Sequence, residues 1–279
     1  MINIPSRLPQ RLLTVAALTV AIALSGCQQE PDSNTAKNTQ NNPAVHTTAA
    51  EPQTPESAQS KPSANSTEQQ APLTILALGD SLTEGLGVDN DANYPAQLEA
   101  RLQEMGYNSV KVVNSGLSGE TSTGLVNRLD WVLQTKPDIT ILTIGANDAM
   151  RGIEVATVEA NIRTAIKRLQ DNGSEVILGG MQIYDNLGSG YVESFAAIYP
   201  RVAKDMNVTL IPFFLKGVGG DPKLNQADAI HPTREGYSII VNNNILPILQ
   251  PKIETEIGKR EAAHTKQAKK PSAPTETSQ

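Results

Sequence analysis

Cysteine is all but missing from this chain. Of 279 residues only Cys27 is one, so no internal disulfide can form. Histidine is nearly as scarce, at positions 46, 231 and 264, which leaves too few His and Cys ligands for a zinc site. There is no excess of positive charge: the formal net charge is -6, which argues against nucleic acid as the main partner. The apolar run "LLTVAALTVAIAL" stops at Leu24, short of the roughly 20 residues that a permanent membrane span needs. From Gln28 to Pro72 the chain has no Leu, Ile, Met, Phe, Trp or Tyr. Such a stretch cannot bury enough apolar surface to offset its ordering entropy, so it is expected to be disordered.

What is present falls into blocks. Met1 to Gly26 carries Arg7 and Arg11, then the apolar run, then a small-residue exit, the layout of an export signal. "LSGC" after that run resembles the lipobox of bacterial lipoproteins. The resemblance implies cleavage before Cys27, lipidation there, and a protein held on a membrane but not through it. Gln28, where inner-membrane retention would place Asp, tilts the expectation to the outer membrane, on the periplasmic side. Residues 27–72 would then be a tether; as a flexible coil of about 45 residues it reaches roughly 35–40 Å. Residues 251–279, ending "KQAKKPSAPTETSQ", read as a second disordered, polar tail. One domain remains, over residues 73–250, a normal size for a single core.

Inside that domain short apolar runs alternate with amphipathic ones. "LTILAL" (73–78), "SVKVVN" (109–114), "DITILTIG" (138–145), "EVILGGMQ" (175–182) and "VTLIPFF" (208–214) read as strands. Helices are expected over 94–106, 125–134, 157–173 and 192–207, with a last one through 234–249 that Pro247 weakens at its end. This alternation predicts βαβ units and a parallel sheet covered on both faces. Ligands of such sheets bind outside the carboxyl ends of the strands, so those ends are where chemistry is sought.

Four polar segments are expected there: Gly79-Asp80-Ser81, "NSGLSGETS" (114–122), "GANDAMRG" (145–152) and "DAIHP" (228–232). His46 and His264 fall in the segments read as disordered, which makes His231 the imidazole of the folded domain. A serine hydroxyl needs a neighbouring base to become a nucleophile, and His is the usual one near neutral pH. The base in turn needs a carboxylate to fix its tautomer, which Asp228 can provide from the same loop. A tetrahedral intermediate also needs donors for its oxyanion, one of which contributes roughly 3–4 kcal/mol. The candidates are the N–H of Ser81, the N–H of Gly119 and the side-chain amide of Asn147. Asp80 and Asp148 read as capping residues of the loops, and Arg151 as an ion-pair partner or a headgroup contact.

"GDSLTEG", "GLSGETS", "GAND" and "DAIHP" match, in order, the four sequence blocks of the SGNH (GDSL) hydrolase family. The whole span 73–250 resembles its bacterial arylesterase and thioesterase–lysophospholipase branch. That resemblance implies a flavodoxin-like three-layer α/β/α sandwich. It also implies a nucleophile at Ser81, a base at His231 oriented by Asp228, and an oxyanion hole from Ser81, Gly119 and Asn147, with no metal or cofactor. Many members of that branch have Gly where this chain has Ala146. The implied activity is hydrolysis of carboxylic esters or thioesters through an acyl-enzyme. The substrate would be a small-molecule or lipid ester, and the membrane would be met through lipidated Cys27. The alternatives are an O-acetyl esterase of cell-wall or polysaccharide sugars and a non-enzymatic lipoprotein that binds lipid or a partner. The chain is expected to be monomeric and to need no nucleic acid.

Overall fold

The computed structural model describes residues 71–183 and 188–268, all within one compact unit, Ala64–Gln279. The export signal, Cys27 and nearly all of the tether lie outside the described residues, as do residues 269–279. Five strands form one parallel sheet: β1 (Leu73–Gly79), β2 (Val110–Gly116), β3 (Ile139–Thr143), β4 (Glu175–Gly179) and β5 (Thr209–Ile211). Their order is β2-β1-β3-β4-β5, the flavodoxin-like arrangement, with the switch point between β1 and β3.

β1 and β3 are central, and their apolar runs are buried on both faces, which is why neither alternates. β2 lies at an edge and keeps Lys111 and Asn114 exposed. Helices cover both faces. One layer holds α3 (Ser122–Val132), α5 (Val155–Asp171), α6 (Ser189–Ala196) and α7 (Ile198–Asp205). The other holds α2 (Tyr94–Glu104), α8 (Arg234–Ile239) and α9 (Leu246–Ala268). Two short helices, α1 (Ser81–Glu84) and α4 (Ala146–Met150), follow β1 and β3 directly.

Three differences from the sequence reading concern the later helices and the C-terminal stretch. The helix expected over 192–207 is two, broken at Ala197, because Pro200 has no N–H and its ring would clash with the Ala196 carbonyl. The last helix does not weaken at Pro247. A π-helical turn at Ile240–Ile245 widens the backbone just before that proline, and the helix then runs on through Pro251. Residues 251–268 are therefore not a disordered tail. Ile253 is buried, Tyr107 Oη donates to Glu254 (3.0 Å), and Arg260 donates to Asp138 (2.5 Å), contacts that fix this helix against the domain. His264 consequently stands on a helix, exposed to solvent.

Candidate active site

Register decides where the chemistry gathers. Gly79 at the end of β1 is level with Gly116 of β2 and with Thr143 of β3. The three segments that leave those strands therefore emerge side by side at one edge of the sheet. Leu117 N–H donates to the Gly79 carbonyl (3.0 Å), which closes β2 onto β1 beyond the last ladder pair.

Ser81 is the first residue of α1 and is 8% exposed. Asp80 caps this helix by accepting from the Leu82 N–H (3.1 Å). The Ser81 Oγ lies 2.8 Å from His231 Nε2, across 150 residues of sequence. On the other side of the imidazole, Asp228 Oδ2 is 2.6 Å from Nδ1. Asp228 Oδ1 meanwhile accepts from the backbone N–H of Ile230 (2.9 Å) and of His231 (3.0 Å). Burial works against the Asp228 carboxylate, yet those two N–H donors and the imidazole bring its pKa down to about 2. It is therefore an anion at any working pH, as an imidazole-orienting group must be.

The loop that presents His231 is pinned at both ends. Asn225 and Pro232 form an isolated antiparallel bridge, and Gln226 N–H donates to the His231 carbonyl (2.8 Å). The Gln226 side chain donates to the carbonyl of Leu86, on the stretch that follows α1 (2.8 Å). Between Asp228 and His231 the chain turns through Ala229 at φ 59°, a left-handed backbone that alanine adopts at a cost of about 1–2 kcal/mol.

Gly119 also has a left-handed backbone, at φ 76°. Its carbonyl accepts from Arg151 (2.8 Å), while its N–H has no acceptor among the described residues. Arg151 thus donates to a backbone carbonyl, and among the described residues it has no acid partner. Asn147 sits in α4 with its Nδ2 3.4 Å from Asp80 Oδ2. The glycine ahead of it, Gly145, has φ 120°, and a Cβ there would lie 2.5 Å from the Tyr199 hydroxyl. Asp80 is almost wholly buried, and that burial pushes its pKa up to about 6 against the Leu82 and Asn147 hydrogen bonds that lower it. Asp148, also buried, accepts from the N–H and the Oγ of Ser122 (2.8 and 2.6 Å), tying the β3 exit to the start of α3. Both acids hold loops, in keeping with a capping role.

Sequence reasoning missed an ion pair behind these loops, with a buried carboxylate and a partly buried guanidinium. Arg128 of α3 makes two hydrogen bonds to Glu120 (2.7 and 2.6 Å), and the Glu120 side chain is 3% exposed. Nothing in the spacing 120–128 marks the pair, since the apolar periodicity places the start of α3 at residue 125.

Beside Ser81 opens an apolar cavity of about 430 Å³. Leu82, Ala146 and Met150 line it from the first and third strand ends, and Met181 and Ile183 from the exit of β4. Phe213, Leu215 and Gly219 come from the exit of β5, and Ala229 and Ile230 from the histidine loop.

Residues 77–239 match the GDSL-like Lipase/Acylhydrolase family. The chain belongs to that family. Among its members, Esterase TesA of Pseudomonas aeruginosa is 37% identical over 186 residues, covering 66% of this chain and 92% of the relative. Thioesterase 1/protease 1/lysophospholipase L1 of Escherichia coli K12 is 35% identical over 170 residues, covering 61% and 80%. The psychrotrophic esterase EstA of Pseudoalteromonas sp., solved inhibited by monoethylphosphonate, superposes with a TM-score of 0.61 at 27% identity. That match covers 65% of this chain and 99% of EstA. This GDSL-like acylhydrolase therefore has the expected fold and is a serine esterase of the SGNH type.

Proposed function

We propose that the protein hydrolyses carboxylic esters or thioesters of medium-length acyl chains, with Ser81, His231 and Asp228 as its catalytic triad. Ser81 Oγ attacks the acyl carbon and passes its proton to His231 Nε2. The imidazolium, held by Asp228, returns that proton to the departing alcohol or thiol. Water then attacks the acyl-enzyme by the same route and restores the serine. The negative charge that develops on the carbonyl oxygen in each half would be met by the N–H of Ser81, the N–H of Gly119 and the amide of Asn147. The observation that carries this reading is the unbroken Asp228–His231–Ser81 hydrogen-bond chain.

The cavity supports acyl chains longer than acetyl. Its volume of about 430 Å³ falls within the range of roughly 300–1,000 Å³ typical of small-molecule sites, and its walls are mostly aliphatic. An O-acetyl esterase would have no use for it. The relatives are named for ester, thioester and lysophospholipid hydrolysis, and a lysophospholipid would suit a protein anchored through Cys27 in the outer membrane. Acyl-CoA would be scarce there, so thioester cleavage is proposed as a secondary capacity.

A series of p-nitrophenyl esters from acetate to dodecanoate tests the cavity's role. The expected optimum lies between butyrate and decanoate. Gly219 has an ordinary backbone, and a Cβ there would point between Phe213 and Leu215, at 3.3 and 3.4 Å. Gly219→Leu is expected to lower kcat/KM for octanoate about tenfold more than for acetate. An optimum at acetate, unchanged in Gly219→Leu, would favour deacetylation.

A further inference from the structure

We propose that the Arg128–Glu120 ion pair is a positioning device for the oxyanion hole, fixing the Gly119 N–H relative to the Ser81 N–H. The inference rests on the assignment of those two groups as oxyanion donors. Arg128 lies in α3 and touches neither donor directly. Its Nε and Nη2 grip Glu120, the residue after Gly119. Its Nη1 donates to Ser115 Oγ (2.8 Å), and Nη2 also donates to the Ser115 carbonyl (2.8 Å) and the Gly79 carbonyl (3.3 Å). One guanidinium thus joins three places: the end of β1 that leads to Ser81, the end of β2, and the turn that carries Gly119. That turn is itself closed by Glu120 N–H on the Leu117 carbonyl (3.1 Å).

Packing alone does not call for this pair. Leu125 and Leu129 of the same helix are buried, and an apolar couple at 120 and 128 would fill space without desolvating two charges. Burying the Glu120 anion costs several kcal/mol, which its attraction to Arg128 repays only with good geometry and further hydrogen bonds. Those further bonds go to the strand ends that carry the site. Arg151 holds the Gly119 carbonyl from outside through one exposed contact, so the partly buried, multiply bonded Arg128 fork is the stronger restraint. Lysine could keep the charge at 128 but not the planar fork that reaches five oxygens at once.

The test uses the full chain and four variants: Arg128→Met, Arg128→Lys, Glu120→Gln and Ser81→Ala. Four quantities are read: kcat and KM for p-nitrophenyl butyrate, Ki for an alkyl trifluoromethyl ketone, and Tm. The ketone adds Ser81 Oγ to its carbonyl carbon and places the resulting oxyanion in the hole, the serine proton passing to His231. In Arg128→Met and Glu120→Gln, kcat is expected to fall about 10–100-fold with KM within threefold. Ki should weaken by the same factor as kcat/KM, at a temperature where circular dichroism shows full folding. Arg128→Lys should recover Tm but little of kcat. A kcat within threefold of wild type in Glu120→Gln and Arg128→Met, with only Tm lowered, would overturn the proposal. Should Arg128→Met not fold, the near-isosteric Glu120→Gln decides alone. Ser81→Ala separates the two levels. Activity retained there removes the triad and this inference together, whereas activity lost there but kept in the pair variants removes only the inference.

Discussion

At the scale of single residues, two carboxylates of one site are driven in opposite directions. Asp228 is half-exposed and hydrogen-bonded, with a pKa down at about 2; Asp80 is enclosed, with a pKa up at about 6. Their effects on stability have opposite signs. The Asp228 contribution is present above the ordinary carboxylate pKa and is lost as pH falls towards 2. Asp80 takes up a proton on folding between about pH 4 and 6, so its contribution is greatest at acid pH and is lost as pH rises through about 6. Asp80→Asn removes the ionisation and leaves an oxygen to cap Leu82. The variant is expected to melt above wild type at pH 8, with the gap closing towards pH 4.5. Thermal melts of both proteins across that range check it; a gap independent of pH would refute the burial account. Asn147 offers a second test. Truncation to Ala would remove one of the donors proposed for the oxyanion and is expected to lower kcat about 100–1,000-fold with little change in KM, as steady-state kinetics would show.

At the scale of elements, the site depends on strand ends that stop level and then diverge. Gly145 shows how little room the divergence leaves. Its φ of 120° is closed to residues with a Cβ, and the Tyr199 hydroxyl, which donates to the Ile144 carbonyl (2.9 Å), fills the space where a Cβ would stand. Gly145→Ala is expected to cost about 2 kcal/mol or more and to lower Tm by at least about 4 °C. It should also reduce kcat, because Asn147 follows two residues later. A melt within 1 °C of wild type would show that the turn yields easily. The helices were less readable than the strands at their joints. A run of apolar residues at helical spacing gives no notice that Pro200 splits it, or that a π-turn just ahead of it lets Pro247 stay helical. There Asn244 donates from the π-turn to the carbonyls of Phe214 and Lys216 (both 3.0 Å), a tertiary contact invisible in local periodicity.

At the scale of the whole molecule, the parallel sheet and its order follow from strands whose apolar runs are short and whose connections are long enough for helices. Ser81, Asp228 and His231 were legible because polar segments at predicted strand ends had to share one edge, whatever the exact register. Glu120, Arg128 and Gln226 were not legible, since their partners lie on other elements and common residue types carry no local signal. The same holds for the cavity, whose walls come from four separate strand exits and meet only after folding. The central claim is that those exits assemble one nucleophile, and Ser81→Ala tests it most directly. Wild type and variant would be compared for hydrolysis of p-nitrophenyl butyrate, with circular dichroism of each. The account predicts a native spectrum and a rate reduced at least about 1,000-fold in the variant. Equal rates in the two proteins would contradict it, and would make Ser81 no more than the first residue of a short helix.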